Sequence, residues 1–205
     1  MKRLAILGAS GHGKVIADCA EVCGWETVIF FDDAWPAKRS ISRWSVEGDM
    51  AALLKRLSDF DGVLVAIGNN AVRQSKLTAL AQHGAKLTTL VHPSALVSRS
   101  ARVGVGSVVL GGVVINVDAS IGMGAIINTG ATVDHDCVLG IAVHISPGAH
   151  LAGGVVIGDQ SWLGIGSCVR QLVRIGSGVT VGAGAAVVSD VADACTVVGV
   201  PARVL

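Results

Sequence analysis

Tyrosine is absent from this chain of 205 residues, and aromatic residues together make up only 3% of it. A conventional globular core fills much of its volume with rings, so this interior must be filled in another way. Charge is scarce too: 15% of residues carry one, and the formal sum is +1. Nothing in that balance suggests a nucleic-acid or membrane-surface partner. Although 51% of residues are hydrophobic, Gly, Ser, Asn and Asp interrupt every stretch. No run of about 18 apolar residues exists, and no membrane span is expected. Leu4-Ala5-Ile6-Leu7, after Met1-Lys2-Arg3, is too short for a secretory leader and runs into a glycine loop. The five cysteines, Cys19, Cys23, Cys137, Cys168 and Cys195, include no Cys-x-x-Cys and fit no zinc spacing. Reduced thiols in a cytoplasmic protein are expected.

What is abundant is glycine, 27 residues, and its use changes near Pro93. Before that point strands and helices alternate. Leu4–Leu7 reads as a strand ending in Gly8-Ala9-Ser10-Gly11-His12-Gly13-Lys14, followed by a helix over Val15–Cys23 that stops at Gly24. A second strand, Val28–Phe31, is closed by Asp32-Asp33. Then come a helix around Met50–Leu57, a strand Val63–Ile67, a helix around Val72–Gln82 and a strand Leu87–Val91. This alternation predicts a Rossmann-like α/β domain with a parallel sheet over residues 1–93.

Past Pro93 every sixth residue from Val97 to Val187 is Val, Ile or Leu, sixteen in unbroken phase. The residue four places after each is Ala, Ser, Val or Cys. One branched and one small inward position per hexad is the signature of a left-handed parallel β-helix, here over residues 94–205. Three hexads carry the chain once round a triangular coil, so sixteen predict a little over five coils. The end, Val198-Gly199-Val200-Pro201-Ala202-Arg203, leaves the repeat and is expected to cap or cross the last coil.

The coil length turns sequence spacing into spatial neighbourhood. Residues 18 apart stack, so His135 lies under Gly153 (153 − 135 = 18) and His144 under Trp162 (162 − 144 = 18). A glycine above an imidazole offers a backbone N–H with no side chain in the way, suited to a carbonyl oxygen turning into an oxyanion. His135 and His144 differ by half a coil and sit on different sides of the prism, which points to a site shared between subunits of a cyclic trimer. His135, flanked by Asp134 and Asp136, titrates near neutral pH and suits a general base. Asp136 can orient it only if a corner intervenes, because neighbours on a strand point to opposite sides. The glycine loop with Lys14 follows a strand and opens a helix, the setting in which amides hold phosphates. It reads G-x-x-G-x-G, not the dinucleotide fingerprint, and no second mononucleotide half follows, so a nicotinamide cofactor is not expected. Asp32 and Asp33 end the second strand where a ribose or base would lie. Gly68, Asn69 and Asn70, with Arg73 one turn on, open on the same sheet edge. His83, His92 and His150 read as structural or surface residues, and Trp25, Trp35 and Trp44 as packing. Trp162 occupies an outward position and needs a cover.

Taken together the chain resembles the bacterial sugar O/N-acyltransferases of the sialic acid O-acetyltransferase and UDP-4-amino-sugar N-acetyltransferase (NeuD/PglD) type. The likeness rests on Gly8–Lys14, Asp32-Asp33, Ala66–Asn70 with Arg73, and His92–Ala95. In the repeat it rests on Ile127–Thr129, Asp134–Cys137, His144–Ser146 and Val198–Ala202. It implies a homotrimer using acetyl-CoA as co-substrate and no metal, with the nucleotide held by the N-terminal domain. Ser10, Gly11, His12, Gly13, Lys14, Asp32, Asp33, Gly68, Asn69, Arg73 and Asn128 would bind the nucleotide sugar. His135 would be the base, polarised by Asp136 where many relatives carry Glu. His144, Gly153, Trp162, Gly164, Ala183 and Arg203 would bind the acyl donor. Transfer would be direct, onto an amino group of a nucleotide-linked amino-deoxy sugar, for a bacterial surface glycan or glycoprotein.

Three other readings compete. A sugar O-acetyltransferase acting on sialic acid keeps the same chemistry with another acceptor. A γ-carbonic-anhydrase-like metalloenzyme needs three converging histidines, which the spacing of His135, His144 and His150 does not give. A non-catalytic β-helix binding protein would have no use for His135, Asp136 and Gly153.

Overall fold

The computed structural model describes residues 2–205. The chain divides into two compact units, Met1–His92 and Pro93–Leu205.

In the first unit β1 (Arg3–Leu7) runs into α1 (Gly11–Val22), followed by β2 (Thr27–Phe31). A hairpin of β3 (Ser40–Ile41) and β4 (Trp44–Ser45) leads to α2 (Met50–Lys55), β5 (Gly62–Val65) and α3 (Asn70–Gln82). The three longer strands form a parallel sheet in the order β2-β1-β5, the crossover arrangement expected of strand-helix alternation. Both faces of this sheet are covered, so its strands read as continuous apolar runs: Leu4, Ala5 and Ile6 are fully buried, as are Phe30, Phe31, Val63 and Leu64. Leu87–Val91 is not the fourth sheet strand that its apolar character suggests. Only Leu87 bridges Val63, and Leu90–Val91 is a separate two-residue strand. The hairpin replaces what reads as a polar loop; Trp44 anchors it, edge-on to Phe30 with ring centroids 6.1 Å apart.

The second unit is a three-sided parallel β-helix of two-residue strands. One face stacks Leu96–Val97 up to Ala186–Val187 in steps of 18 residues, and the other two faces repeat that step. The inward Val, Ile and Leu of the hexads form one continuous core from Val109 to Val197. Small residues share it, among them Ala125, Ala131, Cys137 and Ala149, all fully buried, which is how a core without rings is filled. Two inward serines satisfy themselves: Ser161 donates to the Gly176 carbonyl at 2.7 Å and accepts from the Val179 N–H at 3.0 Å, and Ser107 donates to the Gly122 carbonyl at 3.1 Å and accepts from the Ala125 N–H at 3.0 Å. The helix has six coils rather than a little over five. The last is shortened to 16 residues, so Ile175 bridges Val191 and Val181 pairs with Val197, beyond the sixteen regular hexads. The chain then turns back, with Val197 opposite Val204 in an antiparallel pair that closes the top.

Corners leave the regular strand conformation. At one of them Asp118, Asp136 and Leu172 all have φ near +60°, as does Gly154 in the same column. Few side chains tolerate that region; Asp is among those that do, and a bulky residue such as Leu is an outlier there. The corner that Asp136 requires in order to face His135 is therefore present.

Candidate active site

The first unit carries a cleft of about 230 Å³ at the carboxyl ends of its strands. It is lined by Gly8, Ser10, Asp32, Asp33, Gly68 and Lys76, with Leu7, Ala66 and Ile67 at its base. This is the place where open α/β sheets bind ligands. Gly8, at φ +110°, brings the chain off β1 so closely to Ala66 that a Cβ would lie 2.9 Å from its carbonyl oxygen. Ser10 caps α1 with extended backbone while its hydroxyl makes no capping bond, and no acidic residue lies in the first turn. Gly11 and Gly68 face open space. Ser10 and Gly68 thus line the cleft beside the start of α1, whose first N–H groups take no side-chain cap, a setting for a phosphate.

Other sequence candidates serve the loops themselves. Asp32 accepts the Ala9 N–H at 2.6 Å and the Ala34 N–H at 2.9 Å, tying the glycine loop to the end of β2. Asn69 caps α3 by accepting the Val72 N–H at 3.0 Å. Arg73 is buried and donates to the carbonyls of Ile67 and Gly68 at 2.9 and 3.1 Å and to Asn70 Oδ1 at 2.8 Å. Burial lowers its pKa to about 10. Burial, with the nearby Arg73 charge adding to it, lowers the pKa of His12 to about 4, so that ring is neutral at physiological pH. Gly13 is pressed against Gly8 and Phe30, packing α1 on the sheet. Lys14 is exposed and does not line the cleft. Two lysines outside the motif approach the loop instead. Lys76 lines the cleft and pairs with Asp33 at 2.8 Å, and Lys38 reaches back to the Ala9 carbonyl. Lys76 lies on α3 two turns past the loop, and only the tertiary fold brings it to the edge.

In the β-helix, His135 projects from the corner that Asp136 turns. Its Nδ1 lies 2.8 Å from Asp136 Oδ2, so the ring N–H is donated to the carboxylate there and the Nε2 lone pair is left free. Gly153 lies directly against the ring: a Cβ there would stand 2.5 Å from Cε1 and closer still to Nε2. The Gly153 carbonyl accepts from the Leu172 N–H at 3.0 Å, and the Gly154 N–H is donated to the His135 carbonyl at 2.8 Å. The Gly153 N–H makes no hydrogen bond with any described residue. A proton acceptor and a free amide donor thus stand side by side on adjacent coils. The pKa of His135 is raised, chiefly by the hydrogen bond to Asp136 and then by the Asp134 charge, against a small opposing effect of burial.

That shift has a sign that can be read in rates. With His135 as the base, which works deprotonated, turnover is expected to fall as pH drops through the raised value, with the acid limb above the ordinary imidazole value of about 6.5. Asp136→Asn removes the charge and lets the ring turn. Its kcat is expected to fall roughly 10- to 100-fold, with the acid limb displaced to lower pH. A pH profile of kcat for both proteins checks this, since any titration of the substrates is the same in each.

The third feature lies on another face. His144 and Trp162, paired in register, stack with parallel rings (interplanar angle 1°) at 5.7 Å. Trp162 Nε1 donates to Ser146 Oγ at 2.6 Å, and Asn128 Nδ2 lies 3.2 Å from His144 Nε2. They begin an almost wholly apolar groove of about 420 Å³ that continues over Gly164, Ile165 and Ala183. Gly164 is obligatory there, because a Cβ would stand 2.7 Å from the Ala183 nitrogen. Trp162 remains half exposed along this groove. Arg203 is not brought to it; it lies in the antiparallel return, where Nη1 donates to the Ala202 carbonyl at 2.8 Å. Asn128 belongs to this unit and not to the cleft of the first. Among the described residues no three His, Cys, Asp or Glu side chains gather to hold a metal ion, and the five cysteines are free.

An imidazole against a bare glycine, an apolar groove on another face and a six-residue solenoid together fit an acyltransferase of the hexapeptide-repeat class. Residues 3–80 match the PglD N-terminal domain family. The acetyltransferase domain of PglB from Neisseria gonorrhoeae, solved with acetyl coenzyme A, is 45% identical over 100% of this chain and 99% of its own, with a TM-score of 0.95. PerB from Caulobacter crescentus, solved with CoA and GDP-perosamine, is 41% identical over 100% of this chain and 98% of its own, also with a TM-score of 0.95. UDP-N-acetylbacillosamine N-acetyltransferase of Bacillus subtilis is 38% identical over 112 residues, 54% of this chain and 52% of that protein. The match therefore spans about half the length of this curated relative. The chain belongs to the bacterial sugar O/N-acyltransferase family of the NeuD/PglD type.

Proposed function

We propose that the chain transfers the acetyl group of acetyl-CoA to the amino group of a nucleotide-linked amino-deoxy sugar. The observation that carries this reading is His135, bonded to Asp136 through Nδ1 and lying against Gly153 with Nε2 free. The relatives solved with acetyl coenzyme A and with GDP-perosamine supply the classes of donor and acceptor.

The nucleotide is held in the cleft of the first unit, its phosphates toward Ser10, Gly11 and Gly68, with Lys76 at the wall. The thioester arm lies in the groove beside Trp162, Gly164 and Ala183. The neutral amine attacks the thioester carbonyl carbon, and the C–N bond forms. Nε2 of His135 takes the proton that the nitrogen loses, while the Gly153 N–H stabilises the developing oxyanion. The C–S bond then breaks, and the CoA thiolate leaves and takes up a proton. No acyl-enzyme and no metal enters this scheme.

The groove and the His135 corner lie on different sides of one prism, which favours a homotrimer in which one chain's corner faces another chain's groove. Among the described residues no helix is long and apolar enough to cross a membrane. With donor and acceptor of these classes, a cytoplasmic place in surface-glycan or glycoprotein sugar synthesis is proposed. Thiol release from acetyl-CoA across UDP-, GDP- and dTDP-linked amino sugars tests the reading. One of these is expected to release CoA while free sialic acid does not. Release with sialic acid alone would replace the amine acceptor with a hydroxyl.

A further inference from the structure

Asp134, on the other side of His135 from Asp136, has no part in the scheme above, yet it is tightly held. Its Oδ1 accepts from Asn116 Nδ2 at 2.7 Å and from the backbone N–H of His135 at 2.8 Å. Asn116 stands one coil below (134 − 116 = 18), and its own backbone N–H donates to the Val133 carbonyl at 2.9 Å. The amide is therefore fixed at its root before it reaches the carboxylate.

We propose that Asp134, clamped by Asn116, is a positioning residue for the His135 base. It fixes the backbone from which the ring projects and keeps a second carboxylate beside it. The proposal rests on the reading of His135 as the base. Its physical need is plain. The His135 side chain is 54% exposed, so core packing does not hold it. Asp136 fixes the ring through Nδ1 but sits at φ +59°, past the corner, and does not bond the His135 backbone. Asp134 supplies that anchor from the near side, and a precise base needs both supports.

The charge has its own effect. Asp134 and Asp136 flank the ring, and Asp118 occupies the place of Asp136 in the coil below. The coil above presents Gly153 and Gly154 and no charge. Removing the Asp134 charge makes the imidazolium less stable, lowers the pKa of His135 and moves the acid limb of kcat to lower pH.

The test is an NMR titration of the His135 ring in the resting protein, with the signal assigned by its loss in His135→Ala. Asp134→Asn keeps an oxygen for the His135 N–H, so the corner survives. It is expected to lower the His135 pKa and move the kcat limb the same way, with KM for acetyl-CoA unchanged. Asn116→Ala is expected to lower kcat roughly tenfold, as loss of an outer support does, and to leave the titration nearly in place. A His135 titration unmoved in Asp134→Asn, or a kcat equal to wild type in both variants, overturns the proposal. Failure of the base reading would show elsewhere, as turnover retained by His135→Ala.

Discussion

His135→Ala is expected to lower kcat by about 10²- to 10⁴-fold, the range that a positioned general base contributes. The expectation follows from what the ring touches. Its Nδ1 bonds Asp136, its Nε2 faces Gly153, and more than half of the side chain meets solvent. None of these contacts belongs to the core, which runs through Val133 and Cys137 on either side of the corner. The variant should therefore melt as the wild type does. The apolar groove lies on another face and does not include His135, so KM for acetyl-CoA should hold while kcat falls. That split is the signature of an interaction made in the transition state and not in the ground state. Steady-state kinetics with the acceptor found by thiol release measure it. Turnover close to the wild-type value would remove the proton transfer from His135.

Much of this site could be read from spacing because a β-helix converts a count of 18 into a contact. The stacking of His135 with Gly153 and the register of His144 with Trp162 follow from that count alone. So does the Asn116–Asp134 clamp, whose residues are also 18 apart. The α/β unit yields less. A glycine loop after a strand points to an anion site, but which charged side chains stand near it depends on how distant elements converge. Lys76 arrives from the middle of α3 and Lys38 from the loop before the hairpin, while Lys14, inside the motif, faces solvent. Asn69 and Arg73 look like ligands in one dimension. In three they cap and brace, because a helix start and a buried loop must satisfy their own amides and carbonyls first. The sixth coil was hidden for a related reason: it loses two residues between Val187 and Val191, and a period that slips no longer reads as a period.

Gly153→Ala isolates the geometry from the chemistry, since it leaves both His135 and Asp136 in place. The added methyl would stand 2.5 Å from Cε1, nearer to Nε2 and 3.1 Å from Cδ2, so the ring must swing away. The glycine's φ is not in the left-handed region, so the backbone accepts alanine and the strain falls on the ring. Swinging breaks the 2.8 Å bond to Asp136 or, in the proposed scheme, carries Nε2 off the line to the amine, and the methyl also crowds the amide that this scheme assigns to the oxyanion. Misplacing a base by about 1 Å, or losing one oxyanion donor, each costs on the order of 10²-fold in kcat. The expected loss is therefore at least about 10²-fold and comparable to that of His135→Ala. In the proposed scheme Gly153 and His135 act as one unit, so the double variant should be scarcely worse than either alone. Gly154→Ala is the matching control: it meets the end of the Leu172 side chain and not the imidazole, and its φ of +69° makes it the more strained substitution. Gly154→Ala should lower the melting temperature more and kcat less; the opposite order would mean that Gly153 serves the coil and not the reaction.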